Sequence, residues 1–136
     1  MTAPLRVLVV DDEPLICWSI AETLGAGGDI VTEAHTGAAA LRAVSEASEP
    51  LDVVILDYNL PDMQTLNLLS TLLRLSPASR VILMSARATP DIVNEALDRG
   101  ASQFLGKPFD MGLVPPLVHN VVTLREHTPI PSVANR

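Results

Sequence analysis

Two hydrophobic rhythms alternate along the chain. Short apolar runs at Arg6 to Val10 (RVLVV), Val53 to Leu56 (VVIL) and Val81 to Met84 (VILM) carry no polar alternation. That pattern, with its β-branched content, predicts strands buried on both faces. Ile30 to Ala34 and the pair Phe104-Leu105 add two shorter strands.

Between the runs, apolar residues recur at helical spacing. Pro14 opens the first helix, with Asp11, Asp12 and Glu13 before it as N-cap candidates; Ile16, Ile20 and Leu24 form its inner stripe, and Gly25, Gly27 and Gly28 stop it. After a turn at Thr36-Gly37, Ala40, Leu41, Val44 and Ala47 give a second helix, closed by Glu49-Pro50. Leu66 to Leu75 is helical in composition despite the poor formers Thr65 and Asn67, and Ser76-Pro77 ends it. Thr89 caps a fourth helix with Pro90 at its first position, Ile92, Val93, Ala96 and Leu97 on its inner face and Gly100 as C-cap. Val114, Leu117, Val118, Val121, Val122 and Leu124 outline a last helix. Pro115-Pro116 would break its interior, so the regular helix begins near Pro115 or kinks there. The segment from Glu126, EHTPIPSVANR, has no periodicity and reads as a linker or frayed end.

The order is β-α five times over, one domain across residues 1–125 followed by a tail across 126–136. Such a chain predicts a doubly wound α/β fold, a five-stranded parallel sheet with helices on both faces, and suits strand order 2-1-3-4-5.

Composition narrows the class. A hydrophobic fraction of 48% is that of a globular domain. No apolar run is long enough to cross a bilayer, and the N-terminus lacks a signal cleavage site. The lone Cys17 cannot pair internally, which fits a reducing cytoplasm. A net charge of −7 argues against nonspecific nucleic-acid binding by this segment.

Four of the five strands end in a polar residue at one sheet edge: Asp11 and Asp12, then Asp57, Ser85 and Lys107. With strands one and three adjacent, three carboxylates converge, and keeping them all ionised calls for a cation. Oxygen ligands without His or Cys select Mg2+ or Mn2+. Lys107 adds positive charge, and the site suits a phosphoryl group. Taken singly the residues have plainer readings: the acid pair as helix caps, Asp57 as a turn carboxylate, Ser85 as a loop cap, Lys107 as a surface lysine. Cys17 and Trp18 read as packing or surface residues, Tyr58 as a partly exposed packing residue, and His35, His119 and His127 as solvent-facing or incidental.

From about Arg6 to Leu124 the chain resembles the receiver domain of bacterial two-component response regulators, a flavodoxin-like fold. The resemblance rests on Asp11-Asp12, Asp57 with Pro61 and Met63, Ser85-Ala86, and Lys107-Pro108-Phe109. It implies that Asp57 is the phosphoacceptor, drawing on a phosphohistidine of a sensor kinase or phosphotransfer protein. It implies Asp12 as a direct Mg2+ ligand, Asp11 acting largely through water, and the Asn59 carbonyl completing the set. Ser85 and Ala86 would meet the phosphoryl oxygens with Lys107 as their ion-pair partner, Phe104 would be the aromatic switch, and the Lys107-Pro108 bond would be cis. The output would be a shift of the face formed by helix four, strand five and helix five, read by a protein target or a second copy. This describes a cytoplasmic signalling switch, not an enzyme, with no nucleic-acid or membrane contact of its own.

Three departures stand out. Gln64-Thr65 replace the family's acidic or Asn residue and glycine, Pro115-Pro116 interrupt helix five, and Phe104 replaces a frequent tyrosine. Two alternatives compete: a receiver fold used as a phosphorylation-independent binding module, or the receiver part of a longer transcriptional regulator. A haloacid-dehalogenase-type phosphohydrolase is disfavoured because Asn59 stands where that family has a second acid.

Overall fold

A computed structural model describes residues 3–125; the predicted tail and His127 lie outside the described residues. Its strands are β1 (Arg6–Val10), β2 (Ile30–Ala34), β3 (Val53–Asp57), β4 (Arg80–Ser85) and β5 (Gln103–Gly106), and its helices are α1 (Pro14–Ala26), α2 (Gly37–Glu46), α3 (Thr65–Leu75), α4 (Pro90–Asp98) and α5 (Val114–Arg125). All neighbouring pairs are parallel, in the order β2-β1-β3-β4-β5.

The sheet divides the interior in two. Alternate residues of β1, Val7 and Val9, join Val53, Ile55, Ile82 and Met84 against Cys17, Ile20 and Leu24 of α1 and Val114, Val118 and Val121 of α5. Their neighbours Leu8 and Val10 join Val54, Leu56, Val81 and Leu83 against α2, the leucines of α3 and Ala96 of α4. A strand with helices on both sides needs apolar residues at every position, which is why the central runs are unbroken.

Several boundaries differ from the sequence reading, each for a local reason. The helix α1 passes through Gly25 to Ala26, and Gly28, at φ 101°, takes the left-handed turn beyond it. Its N-cap is Glu13 without a side-chain cap bond; the Asp11 carboxylate instead accepts the Glu13 N–H at 2.9 Å, so the acid pair does not cap the helix. The helix α2 starts at Gly37 because the Thr36 hydroxyl accepts the Ala39 N–H, and Ala47 falls at its C-cap. Gly100 lies one residue past the C-cap Arg99, at φ 109°. A short 3-10 turn, Met111–Leu113, leads into α5, so Pro115 and Pro116 occupy its first turn, where missing N–H donors cost nothing.

Candidate functional site

The carboxyl ends of β1 and β3 lie side by side, with Val10 in register with Leu56, so the next residues, Asp11 and Asp57, are neighbours. Asp11 is fully buried, Asp57 is 5% exposed and Asp12 faces solvent. Their carboxylate oxygens lie within 4.8 Å of one another. Lys107, just past β5, reaches over the end of β4 and donates to Asp11 Oδ2 at 2.8 Å, with its Nζ 3.1 Å from Asp57 Oδ1 and 3.6 Å from Glu13 Oε1. Its backbone is held by an N–H bond to the Ser85 carbonyl, and the Lys107-Pro108 peptide is cis.

This crowding sets the electrostatics. Burial pushes the Asp57 carboxyl above the ordinary range and the Asp11 charge adds to the push, while the Lys107 hydrogen bond and the Asn59 N–H oppose it. Burial alone would lower the Lys107 pKa, but its hydrogen bonds to Asp11 and Asp57 raise it, so the ammonium stays charged. Three carboxylates faced by one lysine leave negative charge in excess, and an all-oxygen donor set suits a hard divalent cation.

The loop after β3 is tied down at four points. The Tyr58 N–H donates to the Met84 carbonyl at 2.7 Å, and Asn59 bridges to Gln64. The Thr65 hydroxyl donates to the Asp57 carbonyl at 2.9 Å. Asp62 then reaches across to α2, its two oxygens accepting the Gly37 and Ala38 N–H groups at 2.9 and 3.0 Å. Those two donors hold the Asp62 carboxyl below the usual carboxylate range. Met63 fills the space over Gly37, where a Cβ would lie 2.5 Å from its Cγ and Sδ.

Across the crevice, Ser85 is buried at the end of β4, and its hydroxyl accepts the Arg87 N–H at 2.9 Å across Ala86. Phe104 is half-buried on β5 and packs against the α2-α3-α4 core.

Residues 7–118 match the family model described as response regulator receiver domain. The chain belongs to that family. The transcriptional regulatory protein KdpE of Mycobacterium tuberculosis is 46% identical over 105 residues, which cover 77% of this chain and 45% of that protein. The chemotaxis protein CheY of Bacillus subtilis is 32% identical over 105 residues, covering 76% of this chain and 86% of CheY. A CheY-like receiver from Methanospirillum hungatei JF-1 superposes with a TM-score of 0.83 at 25% identity, over 91% of this chain and 98% of that one. This chain therefore spans less than half of the transcriptional regulator it matches.

Within the receiver, Asp11, Asp12, Asp57 and Lys107 come together as the sequence reading expected. Ser85 and Ala86 flank them at the end of β4, while Phe104 sits apart in the core. Sequence reasoning missed the ties between distant segments. His119, read as incidental, has Nε2 3.1 Å from Asp29 Oδ2, and the buried Asp29 also accepts the Leu5 N–H at 3.0 Å, fastening α5 to the start of β1. His35 is likewise engaged, 3.4 Å from Glu33. His119 has no sequence neighbour that signals its partner, whereas Glu33 stands only two residues before His35. Cys17 is a packing residue and Trp18, 55% exposed, a surface one.

Proposed function

We propose that this receiver domain is a phosphoryl-accepting switch whose acceptor is Asp57. The observation that carries the reading is Lys107, which bridges Asp57, two strands away, and Asp11, three strands away. An ammonium and an acid cluster at the carboxyl edge of a parallel sheet are the parts an in-line phosphoryl transfer needs.

In this reading an Asp57 oxygen attacks the phosphorus of a phosphohistidine on a sensor kinase or phosphotransfer protein. The P–N bond breaks, the imidazole leaves, and an acyl phosphate remains on Asp57. No general base is needed, because the attacking carboxylate carries the electron pair. Asp11, Asp12, Asp57 and the Asn59 carbonyl would hold Mg2+, or Mn2+; when bound, the ion offsets charge on the transferring oxygens. Lys107 pairs with one of those oxygens. Ser85 exchanges its bond with Arg87 for another, drawing in the loop that contains Ala86. Movement of that loop frees space beside Phe104 and biases the α4-β5-α5 face toward a protein target or a second copy, a population shift between two packings.

The KdpE relative, of which this chain spans 45%, supports reading the domain as the receiver part of a longer regulator; in this reading residues 1–125 are a cytoplasmic receiver and 126–136 its tail or linker. The domain itself acts by protein contact, not as an enzyme and not on nucleic acid or membrane; among the described residues no helix is long and apolar enough to cross a membrane.

Intact-protein mass spectrometry after incubation with acetyl phosphate tests the reading. The expected result is one Mg2+-dependent phosphoryl adduct that is absent in Asp57→Asn. An adduct that persists in Asp57→Asn would sink the assignment.

A further inference from the structure

We propose that Cys17, Glu33 and His35 form a second cation seat, built for a thiophilic ion of the Zn2+ class and separate from the acidic pocket. One sulfur, one carboxylate oxygen and one imidazole nitrogen lie within 4.8 Å of one another. The fold brings them together from two elements. Glu33 and His35 flank Ala34 at the end of β2, so they project to the same side, toward α1. Cys17, on α1, lies beneath them with its Sγ 3.9 Å from the Ala34 carbonyl.

The spacing is that of a site about to close. His35 Nε2 and Glu33 Oε1 are 3.4 Å apart. Two ligands around a tetrahedral ion with bonds of about 2.0–2.1 Å sit roughly 3.3 Å apart, so this pair already spans one edge. The thiol is the fixed corner: Cys17 is fully buried, and its Sγ donates to the Asp11 carbonyl at 3.2 Å. The His35 and Glu33 side chains, paired with each other, are 48% and 33% exposed, so an ion can reach the edge between them from solvent. Three protein ligands leave the fourth position to water.

Donor chemistry separates the two seats. Sulfur and imidazole favour Zn2+ and its neighbours, whereas the acidic pocket offers oxygen alone and suits Mg2+. On binding, the S–H bond breaks, a metal–sulfur bond forms and the proton passes to solvent.

Cobalt(II) titration of the untagged full chain, with Mg2+ in excess to occupy the acidic pocket, tests the inference. The expected spectrum has an intense near-ultraviolet thiolate-to-cobalt band with four-coordinate visible bands, saturating at one equivalent and displaced by Zn2+. Cys17→Ser should lose the near-ultraviolet band. His35→Ala and Glu33→Gln, both surface changes checked for folding by circular dichroism, should weaken binding by about tenfold or more. A six-coordinate spectrum without the thiolate band, or a band of unchanged affinity in both surface variants, would overturn it.

Discussion

The Thr65 hydroxyl donates to the main-chain carbonyl of Asp57, with both residues buried. The first residue of α3 thereby holds the last residue of β3, at a position where the family resemblance implies glycine. Thr65 does this without a positive φ. Thr65→Ala leaves a buried acceptor unsatisfied and should lower stability by about 1–3 kcal/mol in urea denaturation. Thr65→Ser, which keeps the hydroxyl, should lose much less.

Lys107 and the divalent cation share the same carboxylates. Lys107→Ala should therefore bind Mg2+ at least as tightly as wild type by calorimetry, while phosphorylation no longer shifts the α4-β5-α5 face. Asp12→Ala should lose more than about tenfold in Mg2+ affinity. Equal losses in the two variants would mean that the pocket roles are wrongly divided.

Asp62 supplies a pH-dependent contribution with a definite sign. Its folded pKa is depressed by the Gly37 and Ala38 N–H groups. Its contribution is then fully present above the unfolded value of about 3.9 and is lost as pH falls through the folded value. The stability difference between wild type and Asp62→Asn should stay constant from about pH 7 to 5 and shrink below about pH 4. A difference that grows in acid would contradict the assignment.

Gly37 and Met63 should be coupled in a double-mutant cycle. Gly37→Ala gains helix propensity but drives its new methyl into Met63. It should destabilise the wild type and stabilise Met63→Ala, as read by thermal unfolding. The same sign in both backgrounds would show that the contact is not what selects glycine.

The parts of the fold legible in the sequence are those set by local pattern. VVIL followed by Asp57 announced a buried strand that places an acid, and Thr89-Pro90 announced a helix start. The acid cluster with Lys107 followed from where the strands end. What escaped was carried by single side chains reaching across the fold. Asp62 caps a helix 24 and 25 residues away, and His119 meets Asp29 across 90. Such contacts leave no periodic trace, since any exposed polar residue fits those positions until the tertiary fold selects a partner. Gly25 shows the reverse case: a helix breaker by propensity, carried through by the packing of its neighbours Ile20 and Leu24.

Each central strand sends alternate residues to two separate interiors, one roofed by α1 and α5 and the other by α2, α3 and α4. The sheet is a party wall. Met84 can be exchanged with only its own side to refit, and Leu83 with only the other, so costs should add across the wall and compound within a room. The surfaces that α1 and α4 present can therefore diversify on separate schedules while the strand ends between them stay in register.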